Sequence, residues 1–259
     1  MTVRNEISPS EIHTARTNFP AGLIQPQQGF RFGLDSLLLA CFASCRPGDR
    51  ILDLGTGCGV VGLGLCLMYR NTSVRVLGLD VQTDMVRAAK ENASNLGLEK
   101  MYRVRQGDVR EHRSHPDISA ESFDQVVCNP PYRHLHQGRQ PQDPGKRRAC
   151  FQESAELEDF MQTASYALTN KGRMVLVQLA ENTPIILSSL QTRRLQPKEM
   201  RLVHPTRHAP AHLVLIRALK NARPGMRVLP PLMVDNVLEM GSFCPLLQKG
   251  ACVASGSDG

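Results

Sequence analysis

Two hydrophobic periods alternate along the chain. Short apolar runs of strand length occupy residues 50–54, 74–79, 102–106 and 123–128, and between them apolar positions recur every three or four residues, as on one helix face. The helical stretches cover 60–69, 83–95, where Gly97 supplies the stop, and 157–168. GRMVLVQL reads as a buried strand, residues 184–190 as a further helix, and EMRLVH and AHLVLIRAL as two closing strands parted by the turn-rich PTRHAP. Ahead of the first strand, Asp35 followed by SLLLACFA is an N-cap candidate opening a short, largely buried helix. Strands alternating with helices predict an α/β fold, a doubly wound, mostly parallel sheet, with the closing strands as an antiparallel C-terminal edge pair. Residues 1–20 read as a loose N-terminal arm, 21–235 as a single domain and 236–259 as a disordered tail. Just before that tail, RPGMRVLPPLMV is apolar enough to pack back on the domain.

Composition narrows the class. A hydrophobic fraction of 41% supports a sizeable core, and with only 5% aromatic residues and no Trp its packing should be aliphatic. The longest apolar runs are too short or too Gly-rich to span a bilayer, and the first residues lack a signal-peptide core, so a cytoplasmic location is expected. Five of the eight cysteines, at 41, 45, 58, 66 and 128, lie in apolar segments, no CxxC pair occurs, and neither a disulfide framework nor a metal site is expected. The histidines, His134, His136 and His204 among them, have no metal spacing. The net charge of +7 is unevenly spread: residues 131–150 carry +4 and 193–227 carry +8, which leaves −5 on the remainder. Two basic blocks of this kind suit a polyanion such as nucleic acid. Nothing in the pattern chooses between a monomer and a homodimer.

The strand at 123–128 ends in Asn129-Pro130-Pro131-Tyr132. Successive prolines donate no backbone N–H and cannot continue a sheet, so the strand stops there and holds an amide, free carbonyls and an aromatic ring rigidly at its carboxyl end. Upstream, the first strand runs into DLGTGCGVVG. Glycines 55, 57 and 59 permit a tight turn onto a helix N-terminus, and Gly57, Gly59 and Gly62 also satisfy the dinucleotide pattern G-x-G-x-x-G. Three carboxylates sharpen the choice. Asp53, before the glycines, suits a cationic or amine-bearing ligand; Asp80, ending the second strand, suits a pair of ribose hydroxyls; Asp108, after the third, suits an exocyclic amine such as adenine's. Together they describe a site for a nucleoside with an amino-acid-like arm.

With these residues in place the chain resembles the class I S-adenosylmethionine-dependent methyltransferases over residues 30–219, and NPPY resembles the motif of those that methylate planar amide or amine nitrogens. FRFGLDSLLLA, DLGTGCGVVGL, CNPPY and the segment from RLVHP to LPPLMV are together similar to the bacterial valine-tRNA adenine-N6 methyltransferase family, which modifies the purine beside the anticodon. The resemblance implies S-adenosylmethionine as cofactor, held by Asp53, Gly55, Thr56, Gly57, Gly59, Asp80, Val81, Asp108, Val109 and Asn129; tRNA as partner; and no metal. It implies catalysis by Asn129, Pro130, Pro131 and Tyr132, with Asn129 Oδ1 and the Pro130 carbonyl accepting from the target amine and Tyr132 stacked on the base. Phe32 and Asp35 fold over the pocket, and Arg133, Arg139, Lys146, Arg147 and Arg148 clamp RNA phosphates. The same turn chemistry serves a protein glutamine amide, DNA adenine or guanine N2 of ribosomal RNA, each a planar nitrogen with two hydrogens. A non-catalytic RNA-binding module and a nicotinamide-dependent oxidoreductase are the remaining alternatives, and neither gives the Pro-Pro turn a role.

Overall fold

The computed structural model describes residues 7–26, 31–132 and 157–247. Among the described residues nine strands form one sheet: β1 Arg50–Leu54, β2 Arg75–Asp80, β3 Tyr102–Gln106, β4 Phe123–Cys128, β5 Leu168–Leu179, β6 Leu195–His204, β7 Leu213–Lys220, β8 Arg227–Val228 and β9 Leu232–Met233. Their order is β3-β2-β1-β4-β5-β7-β6-β8, with β9 also on β6. The strands from β3 to β5 are parallel, β7 is antiparallel to both β5 and β6, and β8 and β9 pair parallel with β6. The doubly wound sheet and the antiparallel edge expected from the sequence are both present, and the RPGMRVLPPLMV segment returns as the two short outer strands.

Strand order reverses between β1 and β4, since the chain leaves β1 for β2 on one side and comes back as β4 on the other. Sheets of this type open a crevice at the carboxyl ends of such a strand pair. The glycine loop follows β1 and Asn129 follows β4, so the topology alone brings the two motifs to that crevice. Helices cover both faces. On one, α2 Leu34–Phe42, α3 Val60–Met68 and α4 Thr83–Asn95 bury their apolar sides with Ile51, Val127, Val175 and Leu215; on the other, α5 Leu157–Ala167 and α6 Thr183–Thr192 cover Leu52, Val126, Met174 and Leu176. Adjacent strand residues thus serve opposite layers, as the pleat requires.

Four expectations change. The N-terminal segment is not a loose arm: α1, Pro9–Asn18, starts from a Ser8 cap in which Ser8 Oγ accepts from Glu11 N and Glu11 Oε2 accepts from Ser8 N. Arg16 fastens α1 to the end of α4, donating to the carbonyls of Leu96 at 2.7 Å and Gly97 at 3.0 Å. Residues 236–247, expected within a disordered tail, instead hold α7 Val237–Phe243, anchored by the buried Met240 and the buried Cys244 that follows it. Cys244 forms a disulfide with Cys41 of α2, Cα to Cα 5.3 Å, a pairing across 203 residues that no local spacing signals. Finally, Gly33 rather than Asp35 occupies the N-cap of α2, and Asp35 lies inside its first turn.

Candidate active site

β1 carries the chain into the glycine loop, where Gly55, Gly57 and Gly59 take φ of +68°, +57° and +91°. The N–H groups of Gly55 and Thr56 donate to Leu79 O at 2.9 and 3.0 Å, folding the loop back over the end of β2. There the Asp80 carboxylate accepts from Gly57 N at 2.8 Å and Gln82 N at 2.9 Å. A Cβ on Gly57 would meet nothing within 4 Å, so this side of the loop faces open space. Two bonds leave about half of a carboxylate's acceptor positions unused, enough for a pair of hydroxyls, and burial raises the Asp80 pKa. Val81, next in sequence, is an exposed apolar side chain, while Val109 is buried.

Asp53 does not face that opening. It is 1% exposed, and its Oδ2 accepts from Thr56 Oγ1 at 2.6 Å and Gly62 N at 3.0 Å. Thr56 Oγ1 in turn shares a 2.9 Å hydrogen bond with the hydroxyl of the buried Tyr102. Burial pushes the Asp53 carboxyl up to about 7 against the pull of its two donors. The expected contact between Asp53 and an amine-bearing ligand is therefore corrected: this residue ties the loop down from beneath. Asp108 stands at the end of β3 as expected, but it caps a single 3-10 turn, Val109–Glu111, accepting from Arg110 N at 2.9 Å, and is ion-paired with the Arg110 guanidinium, which holds its pKa low.

At the end of β4 the Asn129 amide is clamped from one side. Its Nδ2 donates to Asp35 Oδ2 and to Ser36 Oγ, each at 3.1 Å. The Tyr132 hydroxyl donates to the same Asp35 oxygen, and Asp35 Oδ1 accepts from Ser36 N at 2.7 Å and Gly33 N at 3.2 Å. Because a carboxylate only accepts, the amide turns its NH2 toward Asp35. Asn129 Oδ1 then points away, buried and without a hydrogen-bond partner among the described residues. An unmet buried acceptor costs free energy, and such groups in native proteins concentrate where a ligand or a reaction accounts for them. Asp35, expected at the RNA, instead sits behind Asn129. Tyr132, expected to stack on a base, is half-buried, with its hydroxyl tied to Asp35 and its pKa raised by burial and by that charge. Pro130 is buried, Pro131 is exposed, and Phe32 is half-buried against the layer containing α2 and α3. Arg133, Arg139, Lys146, Arg147 and Arg148 lie outside the described residues.

The profile of a family described as a methyltransferase domain matches residues 46–211, a span that runs from just before β1 to just before β7. The chain belongs to this methyltransferase family. It is 26% identical over 201 residues to a tRNA1(Val) (adenine(37)-N6)-methyltransferase of Vibrio campbellii, covering 76% of this chain and 78% of that protein. A protein of the same name from Parabacteroides distasonis is 27% identical over 186 residues, covering 72% and 75%. Among solved structures, a predicted O-methyltransferase of Agrobacterium tumefaciens superposes with a TM-score of 0.62 at 23% identity over 77% of this chain and 86% of its own. A geranyl diphosphate C-methyltransferase of Streptomyces coelicolor does so with 0.51 at 15% over 72% and 78%. Both carry the same fold.

Within the methyltransferase frame, three further residues hold the site, and sequence reasoning passed over all of them. Asn92 of α4 accepts from Ile24 N at 2.7 Å and donates to the carbonyls of Ile24 and Cys58, each at 2.9 Å, joining the segment before α2 to the glycine loop. A signal existed, since Asn92 falls on the buried stripe with Met85, Ala88 and Ala89. Tyr102 is packed so closely that a Cβ on Gly62 would come within 2.5 Å of its ring, which accounts for the third glycine of the motif without any ligand. Ser36 had no signal, because its role depends on α2 meeting the end of β4. No cluster of potential metal ligands and no helix long and apolar enough to cross a membrane occurs among the described residues.

Proposed function

We propose that this methyltransferase transfers the methyl group of S-adenosylmethionine to N6 of an adenine in tRNA, the purine beside the anticodon of a valine tRNA being the first candidate. The relatives' names support the substrate. The observation that carries the chemistry is the orphaned Asn129 Oδ1, held by the Asp35 and Ser36 clamp. An adenine exocyclic amine delocalises its lone pair into the ring and is a poor nucleophile. Two acceptors on its two N–H groups draw the nitrogen toward tetrahedral geometry, and Asn129 Oδ1 with the Pro130 carbonyl supplies them from a turn that two prolines stiffen. Since Oδ1 is buried, entry of the base shifts the groups around it and exchanges an unmet acceptor for a hydrogen bond.

The residues present fit the cofactor. Asp80 keeps acceptor positions for a ribose, Gly57 leaves open space beside it, and Val81 offers an exposed apolar surface to an aromatic base. S-adenosylmethionine supplies an electrophilic methyl on a sulfonium whose charge is lost as the methyl departs. Asp53 and Thr56 keep the loop in shape, and the Asp108 ion pair with Arg110 opens if Asp108 is to receive an adenine amine. On this reading the protein acts in the cytoplasm. The test is transfer of labelled methyl to total bacterial tRNA, followed by nucleoside digestion and mass spectrometry, with ribosomal RNA, DNA and protein alongside. N6-methyladenosine in tRNA alone is the expected result; label in another polymer moves the substrate there, and no label despite cofactor binding removes the enzymatic reading.

A further inference from the structure

The second basic block does not converge on the crevice. Three of its nine cations, Lys198, Arg217 and Arg227, line a cavity of about 410 Å³ at the opposite end of the sheet, below the last turn of α2, together with Arg46, Arg173 and Glu199. The location follows from the register: β5 begins its pairing with β7 at Arg173, opposite Leu219, whereas the crevice lies beyond Leu179 at the strand's other end.

Its charge is unbalanced. Arg173 is ion-paired with Asp49 and also donates to Gln125. Arg217 and Arg227 share one carboxylate, Glu199. Among the described residues Lys198 reaches only the Arg223 carbonyl, at 3.2 Å, and the exposed Arg46 side chain has no hydrogen bond or ion pair. Five cations thus meet two carboxylates, an excess of three positive charges. A purely structural cluster would be expected to close its hydrogen bonds, yet Arg217 Nε is buried and donates to nothing among the described residues. Arg217 also has its pKa lowered, by burial first and by the nearby charge of Arg173 and Arg227. An anion in the cavity would offset both costs. Planar guanidinium forks with an ammonium on a flexible stem match phosphate oxygens, and the volume exceeds what one inorganic phosphate fills.

We propose that this cavity is a second binding site, separate from the methyl-transfer crevice, for a phosphate-bearing ligand, either a backbone phosphate of RNA or a small phosphorylated molecule. The proposal does not rest on the methyl-transfer reading. Its test is titration with inorganic pyrophosphate by calorimetry at low ionic strength, on the full chain and on the double variant Arg46→Glu, Lys198→Glu, whose side chains take no part in the ion pairs. Saturable binding that weakens at least tenfold in the double variant, while S-adenosylmethionine affinity shows the domain intact, is the expected result. A tRNA titration of the same two proteins assigns the source: a parallel loss points to an RNA phosphate, an unchanged affinity to a small phosphorylated molecule. Absence of saturable pyrophosphate binding, or equal binding by both proteins, overturns the site.

Discussion

At the scale of the residue, the unusual feature is one amide with its donors satisfied and its acceptor not. Removing it in Asn129→Ala leaves Asp80 and the glycine loop intact, so S-adenosylmethionine affinity should stay within about twofold while single-turnover methylation falls by several orders of magnitude. Asp35→Asn tests the clamp in a different way. An amide at 35 can donate as well as accept, so the Asn129 side chain is no longer obliged to present its oxygen, and kcat should fall on the order of a hundredfold with KM for the cofactor unchanged. A loss confined to the yield of folded protein, with normal kcat for what remains, would reject this positioning role. Asp53 makes a prediction about pH. Its folded pKa of about 7 lies above the ordinary aspartate value of 3.8, so between those pH values the folded protein keeps a proton that the unfolded chain has released. Stability from this group is therefore full below pH 3.8 and declines as pH rises through 7. Asp53→Asn should flatten the decline by a few kcal/mol in denaturant titrations between pH 4 and 8, leaving a smaller slope from Asp80, which is raised in the same direction.

At the scale of the element, legibility followed burial. The bounds of β1, β3, β4 and α4 agree with the apolar pattern, because each buries a regular face, and α4 ends where Gly97 takes the left-handed turn. α1 escaped notice because none of its residues is buried, so hydrophobic period carries no trace of it. Its signal was the Ser8 to Glu11 spacing, a capping box that needs no core. The same physics limited the site. Glycines and strand-end acids are marked by local spacing, but whether a carboxylate faces a ligand or the protein interior depends on packing, and Asp53 and Asp35 both turned inward. α1 has its own test: Arg16 supplies its hydrogen bonds to the end of α4, so Arg16→Ala should cost about 1–2 kcal/mol and raise hydrogen exchange in residues 9–18 well before the sheet exchanges.

At the scale of the whole molecule, charge is sorted by the two ends of the sheet. Basic residues between 193 and 227 were expected to meet one polyanion, but the fold separates them. Arg207 lies in the loop between β6 and β7, which sits beside the carboxyl end of β5 because His212 O accepts from Ala180 N at 2.9 Å, and it is exposed on the same end as Asn129. Lys198, Arg217 and Arg227 line the cavity at the other end, while Arg193 and Lys220 are ion-paired with Glu158 and Glu121. At the crevice itself a tRNA therefore meets Arg207, and it meets the far-end cations only where its backbone extends to the cavity. Counterion release makes the distinction measurable, since each lost phosphate contact lowers the slope of log K against log salt by about 0.7–0.9. Arg207→Ala should reduce the slope for tRNA by about that amount and leave S-adenosylmethionine affinity unchanged. Arg193→Ala, the removal of a paired charge at the far end, should leave the tRNA slope where it was. Equal slopes for wild type and Arg207→Ala would place the tRNA on another surface of the domain.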